Sequence, residues 1–199
     1  MSVNVPAERI GIGARVRRTV DEVVAKEAPI NIYVNDRYMI TLLATPILQK
    51  ELALGWLFDE GVLQSSNEIR EVTVNQNDVK VITSEPLEEE RVRVVGVTRI
   101  LTTACGLSIN KFMKAISEIG GRPIESDYKV RAGSIIKMIG ELGKRSKLFR
   151  LTGGTHAAAL FHGEKIVAFA EDIGRHSAID KVIGMAIQSK VDFSECVLV

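Results

Sequence analysis

The feature that most constrains this chain is a change of hydrophobic period part-way along it. In the first half, apolar and polar residues alternate over short runs. Ile30-Asn31-Ile32-Tyr33-Val34 alternates, Asn35-Asp36 is a turn signal, and a second run follows at 38–43, which predicts a β-hairpin. Residues 68–74 and 79–83, joined by Asn75-Gln76-Asn77-Asp78, and residues 91–97 predict further strands; the scattered valines of 15–25 predict one more. One helix interrupts them: Thr45 is placed to cap it and Pro46 to open it, and it carries Leu48, Leu52, Trp56 and Leu57 before stopping at Gly61. Beyond residues 98–108 the spacing turns helical. Phe112, Ala115, Ile116 and Ile119 recur through 110–119, and Ile135, Ile136, Ile139 and Leu142 share a face of 132–144. A hairpin is expected at 157–161 and 165–170, then a helix at 177–189 opened by Ser177 and Asp180, and an apolar strand at 194–199. The chain thus reads as α/β, with a β-rich N-terminal subdomain at 1–105 and an α/β subdomain at 106–199.

Composition narrows the class. Apolar residues make up 46% and charged residues 26% of 199, which excludes disordered, collagen-like and coiled-coil chains. No apolar run approaches the roughly 18–20 residues of a membrane-spanning helix, and residues 1–10 lack a secretory pattern, so no membrane partner is expected. The 26 Lys and Arg nearly cancel the 25 Asp and Glu, which argues against a nucleic-acid partner while leaving room for a local basic patch. Two distant cysteines, Cys105 and Cys196, do not make a disulfide scaffold and favour a reducing compartment.

Three stretches could carry chemistry. Thr102-Thr103-Ala104-Cys105-Gly106-Leu107-Ser108 places a cysteine just before an expected helix, whose dipole favours thiolate, and Gly106 opens access; a buried structural cysteine is the other reading. In Thr152-Gly153-Gly154-Thr155-His156 the paired glycines could bring backbone N–H groups to an anion, with His156 as acid, base or cation. An ordinary glycine turn explains them equally. Glu171-Asp172-Ile173-Gly174-Arg175-His176 clusters ionisable groups where a strand meets a helix, the usual place for ligands in open α/β sheets. There Arg175 could grip a phosphate and the carboxylates a ribose or guanine edge, or the cluster could simply be a solvated cap. Cys196 reads as core packing and His162 as an exposed turn residue. Cys105, His156 and His176 lack the close pairing of a zinc site, so no protein-bound metal is expected.

Together these stretches resemble the FdhD/NarQ family, the formate dehydrogenase accessory sulfurtransferases. The likeness runs from Glu27-Ala28-Pro29 through Thr45-Pro46, Glu51-Leu52-Ala53-Leu54-Gly55-Trp56, Ala104-Cys105-Gly106 and Thr152-Gly153-Gly154-Thr155-His156 to Glu171-Asp172-Ile173-Gly174-Arg175-His176 and Asp180-Lys181. It implies a cytidine deaminase-like α-β-α sandwich behind a β-rich N-terminal part, without deaminase chemistry. It also implies a cytoplasmic homodimer that takes persulfide sulfur from a cysteine desulfurase. The sulfur would pass to the molybdenum (or tungsten) bis-pterin guanine dinucleotide cofactor, bound as substrate, before that cofactor enters formate dehydrogenase. Cys105 would be the persulfide carrier. Thr152, Gly153, Gly154, His156, Glu171, Asp172, Gly174, Arg175 and His176 would bind the cofactor, which a guanine nucleotide could mimic. Ser108 stands where the family loop has a second cysteine, Ile109 replaces the following glycine, and Ser177 replaces the usual Asn. A non-catalytic cofactor chaperone is therefore the alternative function, and a cysteine hydrolase using Cys105 with His156 or His176 a more distant one. Family chains continue past a strand like 194–199, so this chain is expected to lack C-terminal strands and helices of the fold and to have that apolar strand covered by a partner chain or dimer mate.

Overall fold

The computed structural model describes residues 1–11, 17–89, 91–92 and 124–199. Cys105, the helix expected at 110–119 and the subdomain boundary lie outside these residues.

Alternation in the first half does produce antiparallel ladders. Strands β1 (Ser2–Ile10) and β2 (Arg17–Ala25) form a two-stranded ribbon. Strands β3 (Ala28–Val34) and β4 (Arg37–Ala44) form the expected hairpin, and its two turn residues, Asn35 and Asp36, both take positive φ, 48° and 62°. Such turns match the twist of paired strands, and Asn and Asp tolerate the left-handed region better than other side chains. After helix α1 (Gln49–Asp59) come β5 (Ile69–Asn75) and β6 (Asp78–Thr83), giving a four-stranded sheet ordered β4-β3-β6-β5 with β3 and β6 parallel. Ile30, Ile32, Val79 and Val81 from this sheet bury against Leu52, Trp56 and Leu57.

The second half contributes α2 (Ala132–Arg145), α3 (Lys147–Thr152), β7 (His156–His162), β8 (Lys165–Asp172), α4 (Arg175–Gln188) and β9 (Cys196–Leu198). The strands form an antiparallel sheet ordered β8-β7-β9. Side chains alternate across β7, so its two faces bury different things. Ala158 and Leu160 pack with Ala178, Val182 and Ala186 of α4, while Ala159 and Phe161 pack with Met138 of α2. Helices therefore cover both sides of this sheet, as the mixed α/β class requires. No helix among the described residues is long and apolar enough to cross a membrane.

The halves are joined by α1 and α4, which cross antiparallel at contact too close for side chains. A Cβ built on Gly55 would lie 1.7 Å from the carbonyl oxygen of Asp180, and one on Gly184 would lie 1.9 Å from that of Glu51. Only glycine fits at either position.

Several expectations need correction. Helix α1 begins at Gln49, with Leu48 at its cap in the left-handed region, so Thr45 does not cap it. Arg91 and Val92 are helical rather than extended. Helix α4 begins at Arg175 behind Gly174, so Ser177 and Asp180 form no capping box. Helix α3 was not foreseen, and it takes in Thr152 as its last residue. On α2 the isoleucines do not form the buried face: Ile136 is 72% and Ile139 55% exposed, and only Met138 is buried. Strand β9 stands at the edge of its sheet and is partly covered within the chain, by Met138, Ala159 and Phe161 against Val197 and Val199 and by the α4 cluster against Cys196, while Leu198 stays 44% exposed.

Candidate functional site

The β7–β8 hairpin brings the two glycine-containing stretches together. His156 opens β7, Asp172 closes β8, and the two stand opposite each other in the register. Thr152, Gly153 and Gly154 enter at this end of the sheet, and Gly174, Arg175 and His176 leave from it into α4.

The convergence separates into an inner and an outer layer. Asp172 and Lys181 are fully buried and ion-paired with each other. Asp172 Oδ2 also accepts the N–H of Thr45 at 3.0 Å, and Lys181 Nζ donates to the Thr45 carbonyl at 2.9 Å. The Thr45 hydroxyl accepts the N–H of Ile173 at 3.2 Å, and Asp172 Oδ1 accepts that of Gly174 at 2.8 Å. Burial pulls the Lys181 ammonium below the usual lysine range, and the Asp172 carboxylate opposes that pull. The result is a cross-braced knot that fixes the Thr45-Pro46 turn beneath the start of α4. Thr45 and Lys181 were not singled out as site residues. The available signal was a lysine inside the apolar run from Ala178 to Ala186, nine residues after an aspartate.

Glu171 is also spent internally. Its carboxylate accepts the N–H groups of Leu148 at 3.0 Å and Phe149 at 2.7 Å, capping α3 from the neighbouring strand, and lies 3.5 Å from the Thr155 hydroxyl. Among the paired glycines, Gly153 is the left-handed C-cap of α3, with φ 64°, and donates to Phe149 O at 2.7 Å. Gly154 N–H donates to the Thr152 hydroxyl at 3.2 Å. These two donors are therefore committed, and the paired glycines serve as a helix stop.

What faces solvent is the outer layer: His156, Arg175 and His176. Between them α4 presents its first turn. Gly174 has no side chain to cap it, and Ala178 is the first residue to bond back, to Gly174 O at 3.0 Å. The N–H groups of Arg175, His176 and Ser177 have no acceptor among the described residues, an arrangement that suits an anion. Arg175 and His176 belong to this turn, and His156 lies on the strand position paired with Asp172, two residues before Gly174.

A second carboxylate system lies one turn into α4. Asp180 is 7% exposed, and burial, with Asp59 at the end of α1 and then Glu60 and Asp172 nearby, pushes its pKa up to about 8. Asp59 is raised as well, by burial. The other cysteine, Cys196, donates its thiol to Asp192 O at 3.2 Å, and burial, then Asp192 and Glu195, push its pKa up.

Comparison with known proteins gives this arrangement its family. The FdhD/NarQ family model matches residues 25–199. The chain belongs to the FdhD/NarQ family. It is 32% identical over 187 residues to a sulfur carrier protein FdhD from Sulfolobus acidocaldarius, covering 92% of this chain and 69% of that protein. A sulfur carrier protein FdhD from Shouchella clausii is 29% identical over 184 residues, covering 91% of this chain and 68% of its own length. The crystal structure of a protein assigned as a formate dehydrogenase accessory protein, from Desulfotalea psychrophila, superposes with a TM-score of 0.75 at 24% identity. That likeness, which concerns the fold, covers 99% of this chain and 72% of the other. Within the family frame, the convergent loops of this chain are the EDIGRH and GGTH stretches held by the Thr45–Asp172–Lys181 knot.

Proposed function

We propose that this FdhD/NarQ protein is a sulfur carrier in formate dehydrogenase maturation. Its acceptor substrate is the molybdenum (or tungsten) bis-pterin guanine dinucleotide cofactor, and Cys105 carries the sulfur as a persulfide. The observation that carries the reading is the convergence of the family's two loops near an uncapped helix start, with the exposed Arg175, His176 and His156 on those loops, which suits the phosphates of a large nucleotide substrate. Glu171 and Asp172 act in this reading as the frame that holds these two loops in place, because their oxygens are bonded inside the chain.

Sulfur loading needs a nucleophilic thiolate. Cys196 is a poor one, since burial and two acidic neighbours favour its protonated form. That leaves Cys105. Its thiolate would attack the outer sulfur of a donor persulfide, the donor's S–S bond would break, and the donor would leave as a thiolate. A cysteine desulfurase is the proposed donor and a cytoplasmic homodimer the proposed form; a cytidine deaminase-like sandwich is the proposed full fold.

The test is mass spectrometry after incubation with a cysteine desulfurase and cysteine. One added sulfur, about 32 Da, should appear on the wild type and on Cys196→Ser and be absent from Cys105→Ser. Guanine-nucleotide binding without any sulfur loading would instead establish the non-catalytic cofactor chaperone, the role to which the absence of a second loop cysteine at Ser108 points. In either case Arg175→Ala should weaken guanosine diphosphate binding.

A further inference from the structure

A cleft of about 700 Å³ opens on the side of the β8 edge, sharing Glu171 with the frame of the Arg175 site. Its walls are apolar: Ile47 and Leu48 before α1, Leu148 and Leu151 of α3, and Phe169 and Ala170 of β8. Its rim is cationic, with Lys144, Arg145 and Lys147 at the junction of α2 and α3. All three are exposed, and Arg150, also exposed, follows within the same short stretch. Lys144 is paired with Glu141 at 2.6 Å, with Arg145 adding a weaker pull on the same carboxylate, and Arg150 donates to Gly143 O at 2.6 Å; Arg145 and Lys147 form no close ion pair among the described residues. The one acid in the wall, Glu171, has both oxygens bonded to backbone N–H groups. A chain of net charge +1 thus gathers four cations within seven residues beside an apolar hollow.

We propose that this cleft docks an acidic, apolar-anchored peptide segment of a protein partner. The inference rests on the carrier reading, since a carrier must meet the proteins it receives from and delivers to. Charge complementarity selects the acidic character. Leu151 in the wall is 57% exposed, and Phe149 of the same short helix, outside the hollow, is 50% exposed, which is more apolar surface than a small enclosed ligand covers. A membrane is the poorer fit, because an apolar hollow does not insert into a bilayer surface as a protruding face does.

The experiment is fluorescence anisotropy with the full chain and a labelled synthetic peptide of alternating Glu and Leu around one Phe. The same peptide with Gln for every Glu is the control. The acidic peptide should bind roughly tenfold more tightly than the Gln peptide at low salt, with the difference shrinking as salt is added. Arg145→Gln and Lys147→Gln should each weaken the acidic peptide by roughly threefold and leave the Gln peptide unchanged, and Leu151→Asp should weaken both. Circular dichroism of each variant checks folding. Equal binding of the two peptides, no binding, or binding indifferent to all three substitutions would overturn the proposal. So would partition onto phosphatidylglycerol vesicles with no affinity for the peptide. No arm involves sulfur, so docking and sulfur loading can fail separately.

Discussion

Replacing Gly184 by alanine tests the helix crossing on which the two halves meet. Alanine is the better helix former by about 1 kcal/mol, so propensity alone predicts stabilisation. Geometry predicts the reverse. The new Cβ would sit 1.9 Å from Glu51 O, 2.7 Å from its carbonyl carbon and 2.9 Å from its Cα, whereas ordinary contact begins near 3.4 Å. The obstacle is backbone in a buried helix and cannot rotate away, so α1 and α4 must separate by about 1.5 Å, the shortfall between those distances. Separation would loosen Leu52 and Ala53 on one side and Val182 and Ala186 on the other, all now buried. Overpacking of this kind costs about 1–3 kcal/mol and more where both sides are rigid; with about 3–4 kcal/mol for this backbone clash, the propensity gain leaves a net loss of about 2–3 kcal/mol. For a chain of this size that lowers Tm by roughly 4–12 °C. Gly140→Ala, in the interior of α2 with nothing within 4 Å of the added Cβ, supplies the contrast and should be neutral or stabilising. Gly55→Ala should behave like Gly184→Ala, and the double variant should lose less than the sum, because one separation relieves both clashes. Urea unfolding measures all four. If Gly184→Ala matches Gly140→Ala, the close crossing does not exist as described.

Two further outcomes follow from the buried charges. Lys181→Met leaves Asp172 buried without its cation and removes one of the two donors to Thr45 O, so a loss of about 3–5 kcal/mol is expected in urea unfolding, larger than for Lys181→Arg, whose guanidinium keeps a positive charge for the same carboxylate. Asp180 has a folded pKa near 8, above its unfolded value, so the folded state binds the extra proton and stability is greatest below the unfolded pKa. It falls as pH rises towards 8, by at most about 1.4 kcal/mol per pH unit for one proton, and Asp180→Asn should flatten that slope in unfolding titrations from pH 4 to 9.

Much of the local structure was legible because short-range rules decide it. The Asn35-Asp36 hairpin, the β5–β6 pair and the β7–β8 hairpin follow from alternation and turn residues within a few positions. Family motifs likewise pointed to two stretches that the β7–β8 register brings side by side. Less legible was the job of each residue within those motifs. Thr45 carries the cap signal of a helix start, yet its hydroxyl and backbone bond to residues 127 or more positions away. Glu171 and Asp172 look like ligand groups in sequence, and what turns them inward is the arrival of α3 and of the Thr45 turn beside β8.

By itself, then, the sequence determined the α/β character, the hairpins and the family. These depend on periodicity and on motif order, which are properties of neighbours along the chain. Tertiary structure alone decided which ionisable groups are braces and which face solvent. A carboxylate's role depends on what donors reach it, and for Asp172 those donors are Lys181 and Thr45, brought together only when α1 and α4 cross at Gly55 and Gly184. Desolvation at that crossing makes pairing obligatory, while Arg175, His176 and His156 stay exposed to solvent.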